Sequence, residues 1–394
     1  MDAGDVKGAV RAVCSDDSIA PDTAETLQQL AEKHPRRTTP LTPRSRISTS
    51  GTVTANVVKT AILSFPAGSA GGPTGMCPQI MKDLISPSNG DAGTRLLEKL
   101  TEFVNLVLSG NLPPRIRPIF FGANLIALGK KGGGIRPIAV GNTLRRLSAK
   151  CAGTIAKSNR CVEYGNVQLG YGTQRGAEAA AHATRLYVRQ EHNPDQILLK
   201  IDMKSAFNSI PRDALLATVF AKNPLIYNYT EAAYAKPSFL FYRDKIILSE
   251  EGAQQGDPEG PPLFSDTIND TIRSLCSKLN LWYLDDGNLA GTFEDVLNDY
   301  TTLRSAFLAM GLEVNPQKCE LVFLGCPSSE QKQSILSKFS EVCPGVQVTE
   351  LEDLVVLGAP IGSAALESTV KKIPRFFKPS PKSSKGSTPT MPCF

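Results

Sequence analysis

Residues 196–210 read QILLKIDMKSAFNSI and residues 281–290 read LWYLDDGNLA. The first begins as a short apolar run, Gln196 to Ile201, whose length and composition predict a strand that stops at Asp202. In the second, Leu281 to Tyr283 and Asn288 to Ala290 read as strands around a turn of Asp285, Asp286 and Gly287, because Asp-Gly is a strong tight-hairpin signal. Strand ends hold acids rigidly. Three carboxylates gathered in this way repel one another, so a fold that collects them holds cations between them, and oxygen-only ligation selects Mg²⁺. A pair of such ions about 3.5–4 Å apart is the usual apparatus of in-line phosphoryl transfer.

Working outward, Leu96 to Leu108 carries apolar residues at helical spacing up to Gly110. Ala123 to Leu128 and Ile135 to Val140 read as strands around a basic turn, Lys130 to Gly134. Helices are expected over Thr143 to Ala156 and Ala177 to Arg189, and from Pro211 as a first helical residue through Phe220. A helix from Phe293 to Met310 ends at Gly311, and Glu320 to Leu324 and Leu354 to Leu357 are the closing strands. Strands interleaved with helices argue for an α+β sheet domain. Residues 1–55 and 363–394 are rich in Ser, Thr, Pro and charge and read as a disordered segment and a basic tail.

The chain has 394 residues, 41% hydrophobic and 21% charged, which excludes wholesale disorder. No run approaches the about 18 apolar residues of a membrane span, and the first residues lack a basic segment followed by an apolar one; an intracellular protein is expected. Nine cysteines without a CxxC pair read as ordinary buried thiols. The net charge of +5 hides an asymmetry. Between Glu102 and Glu163 there is no acid and there are ten bases, from Arg115 to Arg160, and six more bases follow Glu367. So long an acid-free stretch, apolar enough to fold, is expected to present a surface to nucleic acid or nucleotide phosphates.

Six blocks stand in order: GKKGGGIRPIAVGNTLRRL at 129–147, KIDMKSAFNSI at 200–210, QQGDPEGPPLFS at 254–265, WYLDDGNL at 282–289, GLEVNPQKCEL at 311–321 and VLGAPIG at 356–362. Together they resemble the polymerase domain of reverse transcriptases of the non-LTR retrotransposon type, over about residues 65–362. The resemblance implies a right-hand polymerase fold: fingers over 56–195, a palm over 196–362 and a thumb largely absent. It implies Asp202, Asp285 and Asp286, with the backbone carbonyl of Met203, as ligands of two Mg²⁺ ions, Mn²⁺ being a substitute.

By the same resemblance Lys130 and Arg136 grip the triphosphate, Gln255 and Gly256 form the nucleotide-binding block, and Phe207 is the ring that excludes a ribose 2′-hydroxyl. Lys318 becomes the candidate acid for the departing pyrophosphate, and Leu357 and Gly358 the primer grip. The expected partners are an RNA template, a DNA primer and dNTPs, without a membrane. Glu259 and Pro262 depart from the common QGDPLGPLLF form, and Pro258 is expected to open a helix. The rival expectations are an inactive polymerase-like nucleic-acid-binding module and an RNA-dependent RNA polymerase.

Overall fold

A computed structural model of the chain describes residues 18–130 and 133–376. Its helices and strands run α1 (Ala24–Glu32), α2 (Ala55–Leu63), α3 (Pro78–Leu84), α4 (Gly90–Leu108), α5 (Arg117–Phe120), β1 (Ala123–Gly129), β2 (Ile135–Gly141), α6 (Thr143–Tyr164) and α7 (Gly176–Val188). Then follow β3 (Gln196–Ile201), α8 (Ala206–Ser209), α9 (Arg212–Lys222), α10 (Tyr227–Tyr234), β4 (Ser238–Tyr242), β5 (Lys245–Ser249) and α11 (Gly260–Arg273). The last third holds β6 (Leu279–Tyr283), β7 (Asp286–Thr292), α12 (Phe293–Ala309), β8 (Glu320–Phe323), α13 (Ser329–Val342), β9 (Gln347–Val348), β10 (Val355–Val356), β11 (Ala359–Pro360) and α14 (Ser363–Phe376).

Two sheets organise this mixed α/β chain. One has the order β2-β1-β4-β5, the other β6-β7-β3-β8-β9, and β10 and β11 form a separate hairpin. The strand β3 is buried on both faces, as a central strand must be. Ile197, Leu199 and Ile201 enter the main core, whereas Leu198 joins a smaller cluster with Val322 and Val356 on the opposite face. That alternation is the strand's period of two.

The segment expected to be disordered over 1–55 is structured where it is described. Ala20 N–H donates to the Ala127 carbonyl and Gly129 N–H to that of Ser18. Arg37 donates to the Glu251 carboxylate at 3.2 Å and to the carbonyl of Ala235 at 3.0 Å. An amphipathic α1, capped by Thr23, buries Leu30 under the first sheet. Outside α1 the arm is held by ion pairs and backbone bonds to distant residues, which periodicity does not reveal. Residues 363–376, expected as tail, form α14, and residues 377–394 lie outside the described residues.

The helix α6 is the spine. Asn142 caps it, and it runs 22 residues, eight beyond the expected end at Ala156. Arg145 and Arg160 on it are buried, at 1% and 0% exposure, so neither faces a polyanion. Arg145 pairs with Asp257 at 2.7 Å, and Arg160 with Glu259 and Asp266, each at 2.9 Å. Tyr164 and Tyr234 donate to Asp266 and Asp257, both at 2.6 Å. Arg146 is nearly buried as well and donates to the Ala70 carbonyl. Part of the acid-free stretch is thus internal wiring, because a buried guanidinium needs carboxylate partners and finds them a hundred residues away. Buried thiols are likewise only part of the picture: Cys151, Cys319 and Cys343 are buried, while Cys161, Cys276 and Cys326 are exposed.

Glu259, where the related form has an apolar residue, is therefore half of an internal pair. Gly153 makes room for it, since a Cβ there would lie 2.5 Å from Glu259 Oε1. Burial pushes the Glu259 carboxyl up to about 7 against the pull of Arg160. The folded value lies above the ordinary 4.5, so the folded protein holds an extra proton between these pH values. Stability from this group is present in full below pH 4.5 and is lost as pH rises through about 7. Glu259→Gln should therefore lose less stability than wild type between pH 5 and pH 8 in urea unfolding. Parallel pH profiles for the two proteins would refute this account.

Candidate active site

The register of the second sheet sets the carboxylates. Ile201 on β3 pairs with Gly287 on β7, so one step further Asp202 comes level with Asp286. Tyr283 pairs with Asp286, which leaves Leu284 and Asp285 as the two turn residues. The expected Asp285-Asp286-Gly287 turn is therefore displaced. Gly287 instead lies inside β7 against the Trp282 ring, where a Cβ would be 2.6 Å from the nearest ring carbon. Here the glycine serves close packing, and the turn's left-handed residue is Leu284, at φ 59°. A leucine in that region costs about 1–2 kcal/mol, and such strain persists only where the surroundings over-determine it.

Gln168 does so. Its Oε1 accepts from Leu284 N–H at 2.8 Å and its Nε2 donates to the Leu284 carbonyl at 3.1 Å, so one amide grips both backbone groups of the turn residue. The same Oε1 accepts from Gly170 N–H at 3.0 Å. Gln168 is fully buried, and its neighbours bond to the edge of β6: Trp282 N–H to the Val167 carbonyl, Leu169 N–H to that of Trp282. Gly170 is required beside it, since a Cβ would meet Leu284 N at 2.5 Å. Sequence reading missed this clamp, because the 116-residue separation of Gln168 from Leu284 leaves no local signal.

Crowding is visible in the acids' titration. Burial pushes Asp285 up to about 6, with Asp286 and then Asp202 adding repulsion. Burial and Asp202 raise Asp286. Burial raises Asp202 too, against the pull of Lys318, Lys130 and the Asn315 amide. One oxygen of Asp202, Oδ1, is buried without a hydrogen-bond partner among the described residues, and Lys318 Nζ is 3.9 Å away. Among the described residues no three His, Cys, Asp or Glu side chains form a ready-made cage for a metal. The mutually repelling acids and the orphaned oxygen nevertheless have the donor chemistry that a hard divalent cation satisfies. The Met203 carbonyl is left over as well. Residues 202–204 and 313–315 are joined by Lys204 N–H to the Glu313 carbonyl and Asn315 N–H to the Asp202 carbonyl, and neither bond uses it.

Lys130 stands at the tip between β1 and β2, its N–H bonded to the Gly134 carbonyl. Burial, then Lys33, Lys318 and Arg136, lower its ammonium value, and Asp202 opposes them. These groups therefore share one electrostatic field. Lys131 lies outside the described residues. Gln255 is tied to β2, its carbonyl accepting from Ala139 N–H at 2.7 Å. Gly256, at φ 116°, must be glycine, because a Cβ would lie 2.3 Å from the Ala139 carbonyl oxygen. The helix that follows starts at Gly260 rather than Pro258.

Phe207, on α8, is half-buried, and its ring packs against Phe264 of the main core, with centroids 4.9 Å apart and planes tilted by 40°. Leu357 and Gly358 form the turn between β10 and β11, with φ 50° and 78°. That hairpin packs on the face of the second sheet opposite the main core, so it is built apart from the acids.

The chain belongs to the reverse transcriptase (RNA-dependent DNA polymerase) family, whose model matches residues 128–352. It is thus a reverse-transcriptase-like polymerase domain, for which a nucleic-acid template and primer and dNTPs are the implied substrates. No curated protein matches the chain. No helix among the described residues is long and apolar enough to cross a membrane.

Replacing Gln168 with Leu removes the shared acceptor of two buried N–H groups and should destabilise the protein by about 2–4 kcal/mol in urea unfolding. Primer extension should fall at least tenfold in the fraction that remains folded, since the turn carrying Asp285 loses its clamp. Wild-type stability in the variant would show that the turn holds itself.

Proposed function

We propose that the chain is an RNA-directed DNA polymerase of the right-hand type, from a retrotransposon-like element and acting inside the cell. In this reading residues 56–195 are fingers and 196–362 the palm, with the N-terminal arm laid across both. The observation that supports it best is the register that sets Asp202 beside Asp286 at one end of the second sheet, with Asp285 in the adjoining turn. Asp202, Asp285, Asp286 and the Met203 carbonyl would hold Mg²⁺, which would supply charge neutralisation at the primer hydroxyl and the triphosphate.

The chain's own residues do the rest. Lys130 and Arg136 meet the phosphates from the β1–β2 tip, as donors to a polyanion. Lys318, 3.9 Å from Asp202 and largely exposed, can reach a leaving pyrophosphate and give it a proton. Gly256 lets the Gln255 loop close against β2, which sets that loop beside the incoming nucleotide. Leu357 and Gly358 bear on the primer strand. Phe207 bounds the sugar, and its contact with Phe264 holds the ring in place.

Primer extension on an RNA template, with dNTPs compared against NTPs, tests the reading. Asp285→Asn should lower extension at least a thousandfold, about 4 kcal/mol of barrier, while leaving nucleic-acid affinity within about threefold of wild type. Extension at wild-type rate would exclude the proposed site.

Phe207→Val should raise ribonucleotide use relative to deoxynucleotide use at least tenfold, or about 1.4 kcal/mol. A residue acting only through its contact with Phe264 gives a different result, an unchanged ratio with a loss of about 1–3 kcal/mol in stability. Measuring both quantities on the same preparation separates the two.

A further inference from the structure

We propose that Lys33, on the N-terminal arm and outside the family-matched stretch, is a binding residue for the triphosphate of the incoming nucleotide. This rests on the polymerase reading of the site and extends it to a segment that the motifs do not reach.

Lys33 is anchored on three sides. It closes α1, and its carbonyl accepts from Asn208 Nδ2 at 2.6 Å, which ties it to α8 just beyond Asp202. Upstream, Ser18 and Ala20 bond to Gly129 and Ala127 of β1, at the base of the loop that carries Lys130. Downstream, Arg37 is locked by Glu251 and by the carbonyls of Ala235 and Glu250. The lysine is therefore fixed between the two elements that flank the proposed triphosphate.

Its charge points the same way. Lys33 acts on Lys130 together with Lys318 and Arg136, so four cations share one field in which Asp202 is the opposing acid. Lys33 also lines a cavity of about 340 Å³ with Glu32, Lys204, Ser205, Gly311 and Glu313, two acids and two lysines beside the residues that follow Asp202. Lys204 is paired there with Glu313 at 3.1 Å, whereas Lys33 has no ion pair among the described residues. Bringing like charges together is unfavourable until an anion enters. A triphosphate is a polyanion of the right class, and each ammonium that it meets strengthens binding.

Equilibrium binding of a dNTP with a non-hydrolysable α,β linkage, to the full chain with primer, RNA template and Mg²⁺, gives a readout independent of turnover. Lys33→Gln should weaken it about fivefold and Lys33→Glu tenfold or more, with Lys33→Arg within about twofold of wild type. Affinity for the primer–template should not change, and melting curves should coincide. Should the Glu variant fail to fold, Gln carries the test, because the Asn208 bond uses the backbone carbonyl. Unchanged nucleotide affinity in the Gln variant would overturn the proposal, as would a loss confined to primer–template binding. A wild-type protein that binds no dNTP would overturn the polymerase reading itself, a result distinct from the other two.

Discussion

The structure depends on two buried arginines of one helix. Arg145 and Arg160 bind Asp257, Glu259 and Asp266, and these acids belong to the loop 254–259 and to the first turns of α11. Removing charges from water costs several kcal/mol per ion, so the arrangement holds only because nearly every lone pair is met. Glu259 is held by two guanidinium nitrogens, and Asp266 by Arg160, Tyr164 and Asn223. Through the loop, the helix fixes Gln255 and Gly256 against Ala139 of β2, and β2 continues back to Arg136 and the Lys130 tip. These ion pairs thus connect the spine, the Gln255-Gly256 loop and the basic hairpin. Truncating either arginine would leave buried carboxylates uncompensated, a loss on the order of 3–5 kcal/mol.

The acid end of the second sheet is organised on the opposite principle. There the carboxylates are left with repulsion and an orphaned oxygen, and the turn between β6 and β7 contains a left-handed leucine. Each is a local departure from the stability optimum, and each is supported from elsewhere: Gln168 holds the turn, and Trp282 backs it through Gly287. Sites that bind a cation or a charged substrate accept such costs, because the compensating charge arrives with the ligand.

Much of this was legible in the chain. Strand β3, the β1–β2 hairpin and helix α12 follow from period and capping, and the carboxylate positions follow from where those strands stop. The turn was misplaced because Asp-Gly is the commoner signal, while the true turn, Leu284-Asp285, is one that local preference would reject and only Gln168 sustains. The β4–β5 hairpin gave no tight-turn signature, since its connection is Arg243-Asp244 with a positive φ at the arginine. The N-terminal arm was read as disorder because its anchors, such as Arg37 to Glu251 and Thr42 to Asp213, lie about two hundred residues away. Glu259 showed as an anomaly in its motif, and its reason, Arg160, could not be found without the fold.

The basic stretch shows why local charge is not a surface property. Ten bases without an acid looked like a wall for a polyanion, yet Arg145 and Arg160 are consumed internally, and Arg117 donates to the carbonyls of Leu112 and Gly110. What separates the two uses is the neighbour that each side chain meets. Arginine's fork can satisfy carboxylates and carbonyls at several donors at once, which suits burial, whereas a lysine ammonium keeps its hydration more tenaciously. The division follows that chemistry: the buried bases of the stretch are arginines, and Lys130 and Lys157 remain at the surface. The cations left to face a ligand are thus fewer than composition suggests, which increases the weight of a base such as Lys33 that the fold brings in from outside the stretch.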